Sequence, residues 1–404
     1  MELSMNTNLY DVIFPLLRSA LWGEKNFPIA CKADVDWEAV NQELKEQTIH
    51  YLPLDILSQV DPANFLQYLQ LGGIALQNWY TLMQEQQDLY MLFQKENIPF
   101  VVLKGSAADY YYPNPYYRCM GDIDIIVKPE DFDRAAQCME GNGYEIYDCD
   151  NKRHNEYVHN NVMIELHRRF SFLKDSETDL WMDQTIYAAI DHAKIVTIDG
   201  FSFPMLPALE NGLVLLTHIN QHMEKGLGFR QIIDWMLYVD KEMTDDFWNT
   251  SFAPIAEKIG LKTLAITTTF LCQRHLGLTK ELRFSQEADP NLCEALLEYI
   301  MEQGNFGQKK GVKGNAAVNV LTIKDIPTFL VLLQKRGLRT WDTLTKYPFL
   351  KPFAWFYQLC RYIRLGLQRK HPFRKLKDEY VQSKARDDFF TRLGVAREAR
   401  EANE

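Results

Sequence analysis

Two aspartates, Asp122 and Asp124, stand two residues apart at the head of the apolar run Ile125-Ile126-Val127. A third carboxylate, Glu165, sits inside a second apolar run, Ile164-Glu165-Leu166-His167. Side chains at i and i+2 of a strand point to one face, so Asp122 and Asp124 would form a paired carboxylate surface. Ile123, Ile125 and Val127 would then point into a core. Such a surface suits a divalent cation carrying a polyphosphate, because hard cations such as Mg²⁺ take oxygen ligands and bridge carboxylates to phosphates. Upstream, Leu103-Lys104-Gly105-Ser106 places a glycine turn directly after another apolar run. Glycine lets the backbone approach a ligand closely, and amides that open a helix can hold phosphate oxygens. The chemistry open to these residues is phosphoryl or nucleotidyl transfer.

The elements that must position them can be read from local pattern. Residues 98–103 are a short β-branched run ending at Gly105, a strand-to-turn signal. Ser106 can cap a helix over 106–111, which Pro113 and Pro115 stop. A strand over 122–127 leads through Pro129, suited to a first helical turn, into a helix over 131–140 ended by Gly141 and Gly143. Segments 144–147, 155–159 and 162–167 complete a sheet, the last two joined by Asn160-Asn161 as a tight hairpin. Segments 194–198 and 201–205 read as a strand pair around Asp199-Gly200. Residues 8–95 are helical in pattern, with an Asp-rich cap near Asp34 and a break at Gly72-Gly73 in the long stretch 65–95. Helices are expected again over 209–222, 229–241 and 254–277. The glycine- and lysine-rich stretch 304–315 is the best boundary; it lacks the Gly-Lys-Ser/Thr ending and preceding strand of a phosphate loop. The expected organisation is a helical region (1–95), an α+β core (96–205), a helical domain (206–303), and a linker with a basic, aromatic-rich helical region (304–404).

Bulk properties narrow the function classes. The formal charge of −10 is uneven: residues 335–386 carry fourteen Lys/Arg against Asp342, Asp378 and Glu379, roughly +11. That basic stretch, with aromatics interleaved over 341–366, could meet nucleic acid, an anionic membrane surface or the acidic body of the same chain. We favour the last, and no nucleic-acid module is visible, although nucleic-acid binding is not excluded. Seven scattered cysteines without a CxxC pair argue against a disulfide framework or structural zinc. No apolar run is long enough to span a bilayer, and residues 1–7 lack a leader pattern, so the expected compartment is the cytoplasm.

The order strand, Gly-Ser turn, helix, Asp-x-Asp strand, helix, Glu-bearing hairpin strand resembles the nucleotidyltransferase fold of polymerase-β-like enzymes. More closely it is similar to the bacterial uncharacterised nucleotidyltransferase family. That family's pattern is met by Leu103-Lys104-Gly105, Arg118, Asp122-Ile123-Asp124 and Ile164-Glu165-Leu166-His167. The match is closest over residues 95–170 and looser to about 275. The resemblance implies an α+β fold: a small nucleotidyltransferase-like mixed β-sheet with helices, flanked by N- and C-terminal helical regions. It implies Mg²⁺ (or Mn²⁺) held by Asp122, Asp124 and Glu165, with Glu165 completing a second metal position or orienting the acceptor. The nucleoside triphosphate would be held by Gly105 and Ser106 amides and by Arg118, bidentate to phosphate. Lys104 fits the closer family but departs from the wider superfamily, where a small or apolar residue often precedes the glycine. The implied activity is transfer of a nucleoside monophosphate from an NTP, ATP among them, to an acceptor hydroxyl on a small molecule, a protein or an RNA end.

Blander readings stand beside these. Acidic residues near strand starts are common in solvated loops, and the chain could be a catalytically inactive nucleotide-binding regulatory or scaffold protein. His167 reads as a hydrogen-bonded strand histidine. His218 and His222 lie four apart on one helical face, a zinc-capable spacing, but Ile219 stands where a metalloprotease would have glutamate. Two histidines lining a groove are the simpler expectation. Arg230 and Asp234 are spaced as a surface ion pair, or could border the cleft and hold an acceptor.

Overall fold

The computed structural model describes residues 3–24, 35–149, 176–309, 348–367 and 385–395, most of 151–173, and a few positions between 334 and 341. Contacts divide the chain into two units, residues 1–310 with 393–397, and residues 311–392 with 398–404. The first unit holds a seven-stranded mixed sheet. Its strands are β1 (Phe100–Leu103), β2 (Asp122–Val127), β3 (Glu145–Asp148), β4 (His154–His159), β5 (Val162–His167), β6 (Lys194–Ile198) and β7 (Phe201–Met205), in spatial order β3-β4-β5-β2-β1-β7-β6. Helices α1 (Leu3–Trp22), α2 (Trp37–Glu46), α3 (Leu54–Val60) and α4 (Phe65–Lys95) precede it. Helices α5 (Gly105–Asp109), α6 (Phe132–Gly141) and α7 (Ser176–Ile190) lie between strands. After β7 come α8 (Ala208–Lys225), α9 (Phe229–Glu242), α10 (Asp245–Phe247), α11 (Ala253–Lys258), α12 (Lys262–His275) and α13 (Pro290–Gln303).

The alternation of β2 sets which face carries charge. Ile123, Ile125 and Val127 join a core with Trp79, Leu82, Met83 and Phe93 of α4 and Phe132, Ala135 and Met139 of α6. Asp122 and Asp124 therefore face the other way. β2 runs antiparallel to β1 and parallel to β5, with Asp124 opposite Glu165 and Asp122 opposite Met163. The β4–β5 hairpin turns at Asn160 (φ 49°) and Asn161 (φ 63°), and the β6–β7 hairpin at Asp199 (φ 47°) and Gly200 (φ 89°). Both match the doubly positive φ that Asn, Asp and Gly accept most readily.

Two local expectations need correction. Helix α4 runs unbroken through Gly72-Gly73. Two glycines weaken it by about 1 kcal/mol each relative to alanine, but burial of Tyr68, Ala75, Trp79 and Met83 along one face holds it. The expected helix over 254–277 is two helices, α11 and α12, parted at Gly260 with φ 80°. The Asp-rich cap expected near Asp34 is met at Asp36, whose side chain accepts from the Ala39 amide at 3.0 Å; Asp34 itself lies outside the described residues.

In the second unit a short 3₁₀ stretch, Pro348–Phe353, leads into the helix Ala354–Leu367. Trp341 stacks on Tyr357 with ring centroids 4.6 Å apart. Much of the basic stretch, and half of the glycine- and lysine-rich segment, lies outside the described residues. Among the described residues no helix is long and apolar enough to cross a membrane.

Candidate active site

Parallel pairing of β2 and β5 brings Asp122, Asp124 and Glu165 onto one sheet face. Asp124 is the pivot and is 3% exposed. Its Oδ1 accepts from Lys104 Nζ at 2.9 Å and from His167 Nε2 at 2.9 Å. His167 Nε2 also lies 3.1 Å from Glu165 Oε2. His167 is thus the hydrogen-bonded strand histidine expected, and it ties two of the three carboxylates together.

Charge crowding moves these groups from their ordinary protonation behaviour. The negative charge of Asp124, with burial behind it, pushes Asp122 up to about 6. Burial would raise Asp124 too, but Lys104 and the hydrogen bond from His167 outweigh it and hold its carboxyl well below the usual range. Burial disfavours the charged forms of Lys104 and His167, yet the surrounding carboxylates raise both. Two crowded carboxylates and a third in register, all oxygen donors, fit a hard divalent cation.

Lys104 reaches Asp124 from an unusual backbone. Its φ is 50° and ψ −133°, a region that costs a non-glycine residue on the order of 1–3 kcal/mol. Gly105 follows at φ 34°, so glycine is required there by conformation. A Cβ on Gly105 would meet only ordinary contacts, the nearest being Asp122 O at 3.8 Å. Helix α5 begins at Gly105, and Ser106 does not cap it; Ser106 Oγ donates instead to Gln86 Oε1 of α4 at 2.6 Å.

Arg118 is engaged by buried carboxylates. Its guanidinium is bidentate to Asp234, with Nε–Oδ1 at 2.7 Å and Nη2–Oδ2 at 2.8 Å, and Nη1 lies 3.3 Å from Asp109 Oδ1. Tyr112 donates to Asp234 Oδ1 at 2.7 Å and Trp79 Nε1 to Asp109 Oδ2 at 3.0 Å, which completes a buried cluster. Burial pushes Asp109 up to about 7 despite Arg118. The surface pair expected between Arg230 and Asp234 is therefore absent: Asp234 is 1% exposed and belongs to Arg118.

Arg230 is a guanidinium whose charge reaches Asp122 and lowers its titration. Its Nη1 donates to Cys119 O at 3.0 Å and its buried Nε has no partner. His218 and His222 on α8 face each other with Nε2 atoms 3.0 Å apart. Burial keeps His218 well below its ordinary value and His222 at about 3, and the charges of Lys104 and Arg230 add to both effects. Both histidines therefore favour the neutral form. Gln231 Nε2 donates to Asn305 Oδ1 at 3.1 Å, and the Phe306 ring packs 4.7 Å from His222.

A mixed sheet with this acidic face is a nucleotidyltransferase-like arrangement. The model of the uncharacterised nucleotidyltransferase family matches residues 33–277, more than half of the chain, and the chain belongs to that family. Among solved structures, an antigenic nucleotidyltransferase-like protein from Paracoccidioides brasiliensis matches at 13% identity and a TM-score of 0.29, covering 46% of this chain and 91% of its own. No curated protein matches the chain.

Proposed function

We propose that the protein is an Mg²⁺-dependent nucleotidyltransferase that moves a nucleoside monophosphate from an NTP to an acceptor hydroxyl and releases pyrophosphate. The observation that carries this reading is the register of β2 against β5, which sets Asp122, Asp124 and Glu165 on one face with Lys104 ion-paired to Asp124. Asp122 and Asp124 would hold Mg²⁺, or Mn²⁺ in its place, and Glu165 would complete a second position or orient the acceptor. When bound, the metal supplies charge neutralisation at the reacting phosphate and the leaving oxygens. The acceptor oxygen forms a bond to the α-phosphorus as the bond from that phosphorus to the pyrophosphate oxygen breaks, and the acceptor proton passes to a carboxylate or to water.

Lys104, 2.9 Å from Asp124, would pair with phosphate oxygens that arrive with the metal. Arg230 replaces Arg118 as the proposed guanidinium partner of the triphosphate. The Gly105 and Ser106 amides remain the proposed contacts to the β- and γ-phosphates. Pyrophosphate release that depends on Mg²⁺ and on one of the four NTPs, measured with candidate acceptors, tests the reading. Nucleotide binding without pyrophosphate above a heat-killed control would point instead to an inactive scaffold.

A pH dependence follows from Asp122. Protonated below about 6, it must lose its proton before it can ligate. Mg²⁺ affinity should therefore rise as pH increases, up to about tenfold per unit below that value, and level off above it. Calorimetry in two buffers of different ionisation heat should detect proton release on the acidic side only. An affinity flat across that range would remove Asp122 from the ligand set.

A further inference from the structure

Next to the three carboxylates the sheet continues into a different donor set. β4 pairs antiparallel with β5 so that His154 lies opposite His167 and Glu156 opposite Glu165. With the alternation of both strands, His154, Glu156, Glu165 and His167 share the face that carries Asp122 and Asp124. His154, Glu165 and His167 each offer one ligand atom, and these atoms lie within 4.8 Å of one another. The His154 and His167 rings are 4.9 Å apart. His167 is 7% exposed, and its Nδ1 is buried with no hydrogen-bond partner, while Nε2 is engaged with Asp124 and Glu165. Asp124 thus anchors Nε2 and leaves Nδ1 unspent, the way ligating histidines are usually oriented, while Glu165 would turn from Nε2 to the metal. His154 is steadied by Asn151, whose Nδ2 lies 3.1 Å from Nε2, and by Glu156 Oε1 at 3.3 Å from the same atom.

We infer that His154, Glu165 and His167 form a second metal position that takes a d-block divalent cation, zinc or a near neighbour, in preference to Mg²⁺. Two imidazole nitrogens and one carboxylate oxygen make a donor set that Mg²⁺ accepts poorly and Zn²⁺ or Co²⁺ accepts well. Three protein ligands leave a coordination position open, as in zinc sites that act on a substrate. Bonds of about 2.0–2.2 Å need donor atoms roughly 3.4 Å apart in a tetrahedral set, inside the 4.8 Å within which these atoms lie. The side chains of His154 and Glu165 are 15% and 21% exposed, which leaves them room to move. Glu165 would be shared with the Asp122–Asp124 position, so the protein would hold two cations of different hardness side by side. The site rests on its own donor atoms and stands whether or not nucleotidyl transfer does.

The test uses the full chain stripped of metal, titrated with Zn²⁺, Co²⁺ and Mg²⁺ alone. The wild-type protein should bind Co²⁺ with a visible d–d spectrum and prefer Zn²⁺ to Mg²⁺ by about 100-fold or more. His154→Ala should weaken Zn²⁺ and Co²⁺ by at least tenfold, the scale on which metal-site groups act, and leave Mg²⁺ affinity unchanged. His154→Asp keeps a donor and should restore binding with a selectivity moved toward Mn²⁺, which guards against a folding defect in the alanine variant. Asp122→Asn should abolish Mg²⁺–NTP binding while Zn²⁺ affinity persists, so either reading can fail without the other. Zn²⁺ and Co²⁺ affinities equal in wild type and His154→Ala, or no preference over Mg²⁺, would overturn the inference.

Discussion

Asp124→Asn is expected to lower nucleotidyl transfer by about 10³-fold or more, some 4 kcal/mol of transition-state stabilisation, while the fold survives. Asparagine has the shape of aspartate and keeps an oxygen that can accept from Lys104 and His167, which both reach Asp124 Oδ1 at 2.9 Å. What it removes is the charge. Removal of that charge also relieves Asp122, whose titration is raised first of all by Asp124. That relief is outweighed by loss of the charge that holds Lys104 and His167, so the melting temperature should fall by a few degrees while the protein stays folded. Pyrophosphate release and a thermal melt on the same preparation read both sides. Activity within tenfold of wild type would take Asp124 out of the machinery, and a collapsed melt would give it a structural role instead.

Arg118→Ala is expected to cost stability, about 3–5 kcal/mol, because it leaves two buried carboxylates without their cation. Asp234 would lose a bidentate partner and Asp109 its only guanidinium contact among those described. The cluster joins α4 through Trp79, the segment after α5 through Tyr112, and α9 through Asp234. Its loss should loosen the helices that carry the site. Lysine would rescue little, since a point charge cannot reproduce the two parallel hydrogen bonds. Urea denaturation checks the magnitude. The expectation drawn from the sequence, Arg118 on a phosphate, predicts the opposite pattern: normal stability with a raised KM for the nucleotide.

The contrast shows what local sequence could and could not reveal. The alternation Asp122-Ile123-Asp124 gave the charged and apolar faces of β2, because strand geometry has a period of two. Both hairpin turns announced themselves through Asn160-Asn161 and Asp199-Gly200, whose residue types tolerate positive φ. Glu165 was visible as a carboxylate inside an apolar strand, and its register opposite Asp124 came with the sheet order. The partners of Arg118 were not visible. Asp234 lies 116 residues away, and an ion pair across that distance leaves no periodic trace. The i, i+4 spacing of Arg230 and Asp234 suggested a pair that the buried cluster overrode. His154 was missed although the signal existed: with the Asn160-Asn161 turn fixed, counting back along β4 sets it opposite His167. The break at Gly260 was legible in principle as a glycine inside a helical pattern.

The most direct test of the central claim is calorimetric titration of each NTP, with Mg²⁺, into the wild-type chain and into the Asp122→Asn/Asp124→Asn double variant. The account predicts Mg²⁺-dependent binding of at least one NTP to wild type and its loss in the variant. Binding that is equal in both proteins, or silence from all four NTPs in the wild type with a candidate acceptor present, would contradict it.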